Sequence, residues 1–162
     1  MSKEIKRSPL FYVGDKYKLM KQLVDFFPTE VDNFYEPFTG GGTVFLNIKA
    51  KKYYINDIDK HLVNIHKFLI KSSKKPKKFF KDAEKIIKKY NFSRSYIEDI
   101  IPNSLKKEWK KTYIAKFNKD GYEELRKHVN NYKKNDPLIL YLLLIYGFNR
   151  MLRFNGGGKF NL

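Results

Sequence analysis

The sequence predicts an α/β fold in which a parallel sheet with covering helices is followed by a small, basic, mainly helical lobe. Three observations predict it. Between residues 16 and 70 the apolar pattern alternates helix, strand, helix, strand, helix, and two βα units in succession favour parallel strands. The glycine run Gly40-Gly41-Gly42 sits at the first strand-to-helix junction, where a chain must turn sharply. From Lys71 to Lys119 there are 16 lysines and arginines against 5 acids, a balance of +11 within a chain total of +17. The 162 residues suffice for one packed domain, or for one domain carrying a small second lobe.

Each element follows from local pattern. Leu19, Met20, Leu23, Val24 and Phe27 recur at helical spacing from Lys16 to Phe27, and Pro28 ends that run. Asn33 to Glu36 is short, aromatic and bounded by Pro37, which reads as a strand. The stretch from Thr43 to Ala50 is amphipathic and reads as the helix after the glycine turn. Lys52 to Asp57 is the second strand, and Asp59 to Ile70 a helix with Leu62, Ile65, His66 and Leu69 on one side. Lys71 to Lys78 has the composition of a linker, and helical spacing resumes through Phe79, Phe80, Ala83, Ile86, Ile87 and Tyr90. The apolar run from Pro137 to Tyr146 falls short of the roughly 20 residues of a spanning helix and reads as a core helix.

The charge points to a polyanionic partner. A balance of +17 exceeds what solubility requires, and with no spanning segment expected, nucleic acid fits better than membrane. A solvated lysine-rich helical face would have the same composition. No cysteine is present, which excludes disulfides and thiolate metal sites in this chain. His61, His66 and His128 form no metal-ligand pattern: the five-residue step between the first two misses the same-face arrangement, and surface or edge positions are expected for them. No apolar stretch follows the charged start Met1-Ser2-Lys3-Glu4, so a secretory signal is not visible and a cytoplasmic location is expected.

The glycine run can do more than turn. Consecutive glycines after a strand let the backbone pass close to a ligand, because no Cβ obstructs the approach. The dinucleotide spacing Gly-x-Gly-x-x-Gly and the triphosphate ending Gly-Lys-Ser/Thr are both absent, and an ordinary tight turn has the same signature. Asp57, about 20 residues on at the next strand end, is placed to accept hydrogen bonds from both hydroxyls of a ribose. Asp57 is also a candidate helix cap, although Asp59 is the better one.

At these residues the chain resembles the Dam-type (D12 class) DNA adenine-N6 methyltransferases. Pro9-Leu10-Phe11-Tyr12-Val13-Gly14-Asp15-Lys16 is similar to the family's amino-terminal cofactor motif, with Asp15 where the family has a second glycine. Glu36-Pro37-Phe38-Thr39-Gly40-Gly41-Gly42 resembles its main cofactor loop, and Ile55-Asn56-Asp57-Ile58-Asp59 its ribose-binding strand end. Tyr146 to Asn161 is similar to the family's DNA-reading hairpin, near residues 147–161. The resemblance implies an incomplete Rossmann-like core over residues 1–70 and a target-recognition lobe over residues 71–162. It implies S-adenosylmethionine as cofactor, held by Tyr12, Lys16, Glu36, Phe38, Gly40 and Asp57. It implies duplex DNA as substrate, read at a GATC-type site by Phe148, Asn149, Met151, Arg153 and Asn155. Arginine in such a turn can fork onto guanine O6 and N7, and Phe148 or Met151 can wedge at a base step. A turn stabilised by its own polar residues is the plainer alternative.

The chemistry itself is expected elsewhere. Methylating an exocyclic adenine nitrogen needs an aromatic surface for the flipped base and acceptors for its amino group, which the family supplies with Asp-Pro-Pro-Tyr. That tetrapeptide is absent; Asp136-Pro137-Leu138-Ile139 lacks the second proline and the aromatic and precedes the reading block. No catalytic residue is therefore expected in this chain. The expectation is an amino-terminal portion of an enzyme, truncated, frameshifted or completed by a second chain, with an inert DNA-binding module as the alternative.

Overall fold

The computed structural model describes residues 4–10, 12–95, 97–132, 136–147 and 151–161. It divides into two compact units, residues 1–67 and 68–162.

The first unit is built on two parallel strands, β1 (Val31–Glu36) and β2 (Ala50–Ile55), in register Asn33 to Lys52, Phe34 to Tyr53 and Tyr35 to Tyr54. Alternation sends the rings to opposite faces. On one face Phe34 packs edge-on against Phe27 and Tyr53, and Phe45 against Tyr53. On the other, Tyr35 and Tyr54 stack at 4.6 Å and both stay exposed. Helix α2 (Lys60–Ser72) follows, started by Asp59, whose Oδ1 accepts the His61 and Leu62 amides. Leu10, Met20, Val24, Ile48, Leu62 and Ile65 form the buried core of this unit.

Two predicted helices of the first unit are replaced. The run from Lys16 to Phe27 forms a 3-10 turn (Tyr17–Leu19), one turn of α-helix, α1 (Met20–Leu23), and a second 3-10 turn (Val24–Phe26). Only Met20 and Val24 are buried while Leu19 and Phe26 are exposed, so the apolar stripe is too short to hold a regular helix against solvent. The helix expected from Thr43 to Ala50 is a single 3-10 turn, Phe45–Asn47, and β2 already begins at Ala50. The cause is Asn47: its Nδ2 donates to the Thr43 carbonyl at 2.7 Å, the acceptor its own N–H would need for an α-turn. That N–H bonds Val44 instead, at 2.9 Å, and Ile48 leaves in extended conformation.

The second unit is helical. Helix α3 (Pro76–Lys89) starts with proline in its first turn, and α2 runs to Ser72, so the expected linker shrinks to residues 73–75. Ala83 and Ile87 bury one side of α3, and the other carries exposed pairs such as Lys78–Asp82 at 2.6 Å and Lys88–Glu84 at 2.8 Å. Solvent screens such pairs, so they add little to stability. The short α4 (Asn103–Glu108) and the long α5 (Tyr113–Tyr132) precede α6 (Pro137–Tyr146). Helix α6 buries Leu138, Leu140, Leu142, Leu143 and Leu144, each worth about 1.5–3 kcal/mol of apolar transfer. Asp136 caps it, accepting the Leu138 amide at 2.8 Å, so the tetrapeptide at 136–139 is a helix start. No helix among the described residues is long and apolar enough to cross a membrane.

Candidate functional site

The chain leaving β1 does not simply turn. Thr39 donates its amide to the Asn56 carbonyl at 2.9 Å, and Asn56 donates to Glu36 at 2.9 Å, so the two strand exits are stitched together. Gly40 and Gly42 then take positive φ, 50° and 82°, which a side chain would strain. A cleft of about 350 Å³ opens there, lined by Tyr12, Gly14, Asp15, Lys16, Glu36, Phe38, residues 39–44 and Asp57. All six residues expected to hold a cofactor line this one cleft. Its volume falls in the range of about 300–1,000 Å³ usual for small-molecule sites.

Asp57 stands just beyond β2 and receives two backbone amides, Gly40 on Oδ2 at 2.8 Å and Asp59 on Oδ1 at 3.1 Å. An ionised carboxylate has about four acceptor positions, so both oxygens keep capacity for a ligand's hydroxyls. Glu36 accepts the Phe45 amide on Oε2 at 3.1 Å. Burial pushes its carboxyl up to about 7, against the opposing pull of that N–H and the Lys16 ammonium. The Tyr12 hydroxyl is pushed up by burial and by the Asp59 and Asp57 carboxylates, and stays protonated. Lys16 is exposed and donates to the Gly14 carbonyl at 2.5 Å, while Phe38, 87% exposed, forms a bare aromatic rim. Asp15, the departure from the family motif, accepts the Thr43 hydroxyl and, at 3.2 Å, the Tyr17 amide. It ties the amino-terminal segment to the glycine loop.

The expected reading hairpin is compact. Phe154 and Phe160 form one antiparallel bridge with their rings edge-on at 5.4 Å, and no longer ladder exists among the described residues. Asn155 Oδ1 accepts the Gly157 and Lys159 amides, so that side chain builds the turn it was expected to read from. Asn130 on α5 anchors the turn in strand fashion, accepting the Phe160 amide at 2.7 Å and donating to its carbonyl at 3.1 Å. Arg153 is exposed and Met151 half-buried. Phe148 and Asn149 lie outside the described residues.

The family model of D12 class N6 adenine-specific DNA methyltransferases matches residues 12–162. The chain belongs to that family. Among its relatives, the type II methyltransferase M.FokI of Planomicrobium okeanokoites is 32% identical over 96% of the chain and 20% of its own length. The modification methylase StsI of Streptococcus sanguinis is 30% identical over 99% of the chain and 20% of its own length. A DNA adenine methylase of Vibrio cholerae is 27% identical over 96% of the chain and 47% of its own length. The chain thus spans from a fifth to just under half the length of these relatives.

Two residues that shape the D12 cleft were not expected there. Ser8 donates its hydroxyl to the Gly41 carbonyl and accepts the Leu10 amide at 3.0 Å, from a segment with no readable motif. His66, expected at a surface or edge, is 4% exposed, and its Nε2 lies 2.8 Å from the Gly40 carbonyl oxygen. Burial holds its imidazole below the usual histidine range, despite the opposing influence of the Gly40 carbonyl and Asp57. Its place on the apolar side of the helix with Leu62, Ile65 and Leu69 was the available signal.

Proposed function

We propose that this D12 family chain provides the S-adenosylmethionine site and the DNA-recognition lobe of a site-specific DNA adenine-N6 methyltransferase with a Rossmann-like core. The observation that carries this reading is the convergence of Tyr12, Lys16, Glu36, Phe38, Gly40 and Asp57 on one cleft at adjoining exits of parallel strands. Ligands of open α/β sheets bind beyond the carboxyl ends of strands, where this cleft lies. The donor set fits the cofactor: Asp57 keeps acceptor capacity for the ribose hydroxyls, Glu36 and Lys16 offer a carboxyl acceptor and an ammonium donor to the methionine end, and Phe38 gives the adenine an apolar surface. The bound cofactor supplies the methyl group. The lysine-rich α3 and the exposed Arg153 serve the DNA, the former through phosphates and the latter through a base edge. GATC is the first target to test, and relatives named as modification methylases support a restriction-modification setting.

The adenine pocket is proposed to come from polypeptide carrying Asp-Pro-Pro-Tyr, on a second chain or a longer form of this one. The sheet supports this. Two parallel strands alone are marginal, and parallel sheets are ordinarily covered on both faces, whereas Tyr35 and Tyr54 here are open. Calorimetry with S-adenosylhomocysteine tests the cofactor site; absence of binding by folded protein at millimolar ligand would sink it. Methyl transfer to an adenine duplex, appearing when an Asp-Pro-Pro-Tyr fragment is added, is the expected second result. The inert DNA-binding module, favoured by the missing tetrapeptide, predicts DNA binding with no cofactor binding.

A further inference from the structure

The glycine loop is held from two sides at a single residue. Gly40 donates its N–H to Asp57 Oδ2 at 2.8 Å and faces His66 Nε2 with its carbonyl oxygen, also at 2.8 Å. A carbonyl only accepts, so the imidazole proton resides on Nε2 and the ring is the donor. The ring also fills its space closely. A Cβ added at Gly42 would come within 2.7 Å of His66 Cε1, and Phe45 packs edge-on against the ring at 5.7 Å. His66 therefore sits beneath the loop with one polar contact upward, and Asp57 grips the same peptide residue from the rim of the cleft.

We infer that His66 is a positioning residue of the cofactor cleft, which fixes the Gly40 carbonyl and thereby the Gly40 N–H that orients the Asp57 carboxylate toward a ribose. The inference rests on the cofactor reading of this cleft. Its physical content is preorganisation. Gly40 at φ 50° is free to rotate its flanking peptides unless both are tied, and an untied Gly40 N–H would release the carboxylate that is to meet the ligand. The donor is what matters for the loop, and the ring's bulk is what matters for the core.

Two variants separate these roles. His66→Phe keeps an aromatic ring against Phe45 and removes the donor; His66→Gln keeps an N–H donor and removes the ring. Calorimetry with S-adenosylhomocysteine is combined with amide exchange at Gly40 and nitrogen NMR of the His66 ring in ligand-free protein. The wild type is expected to show the Nε2–H tautomer and a protected Gly40 amide. His66→Phe should weaken the ligand roughly five- to tenfold, the scale of one net hydrogen bond, and speed Gly40 exchange comparably. His66→Gln should recover most of both losses. An Nδ1–H tautomer in the wild type, unchanged affinity in His66→Phe, or equal loss in the two variants would overturn the inference. Failure of the folded wild type to bind S-adenosylhomocysteine overturns the cofactor reading instead, and the ring tautomer and Gly40 exchange then still report on the clamp by itself.

Discussion

Replacing Glu36 by glutamine should change how stability depends on pH, and the structure sets both sign and size. Glu36 ends β1 with its carboxyl partly buried and a single backbone donor, the Phe45 amide at 3.1 Å. In the unfolded chain the group titrates at its ordinary 4.5, and in the fold at about 7. Between those values the folded state binds more protons than the unfolded one, so Glu36 favours the fold in acid and loses that contribution as pH rises through about 7. The full interval corresponds to about 1.4 kcal/mol per pH unit, a ceiling of roughly 3 kcal/mol. Glu36 lines an open cleft, and solvent screening brings the expected figure to about 1–2 kcal/mol. Glutamine keeps an acceptor for Phe45 and cannot ionise. Urea unfolding of both proteins from about pH 4.5 to about pH 8 should therefore show the wild type losing about 1–2 kcal/mol relative to Glu36→Gln. A difference that stays constant with pH, or shifts in the wild type's favour as pH rises, would refute the reasoning.

Three further outcomes are expected. Asp57→Ala should weaken S-adenosylhomocysteine by about 1.5–3 kcal/mol in calorimetry, since an ionised acceptor is lost while Gly40 and Asp59 lose their shared partner. Arg153→Ala should cost about 1–3 kcal/mol on a GATC duplex and little on one altered at the guanine it reads, whereas Lys77→Ala with Lys81→Ala should weaken both alike and lower the salt slope by roughly one to two counterions. Anisotropy at several salt concentrations separates the two, and equal weakening of both duplexes by Arg153→Ala would make that arginine a phosphate contact. Gly121→Ala should destabilise the helical unit by about 1–3 kcal/mol or more, because the new Cβ would lie 2.0 Å from the Tyr90 carbonyl oxygen. Thermal unfolding checks it, and an unchanged midpoint would show that α5 can shift to make room.

The local signals of this chain determined what local forces control. The order of the two parallel strands, α2 with Asp59 as its cap, the apolar α6, and the glycine turn with Asp57 beyond the next strand were legible because alternation, capping and glycine turns act over a few neighbours. Tyr12, Lys16, Glu36 and Phe38 were named only through the family resemblance. The family, too, was carried by short ordered motifs. Other features were decided only by groups far apart in sequence. Asn47 removes the predicted helix through the Thr43 carbonyl four residues back, and Lys6, 41 positions earlier, holds the same side-chain amide in place. Asn130 grips Phe160 across 30 positions and folds the expected hairpin into a compact turn. His66 is a buried donor because a carbonyl 26 residues earlier requires one, a demand that periodicity cannot express. Propensity sums the preferences of adjacent residues, whereas a buried polar group takes the partner that the finished fold brings to it, since leaving it unpaired costs about 1–3 kcal/mol.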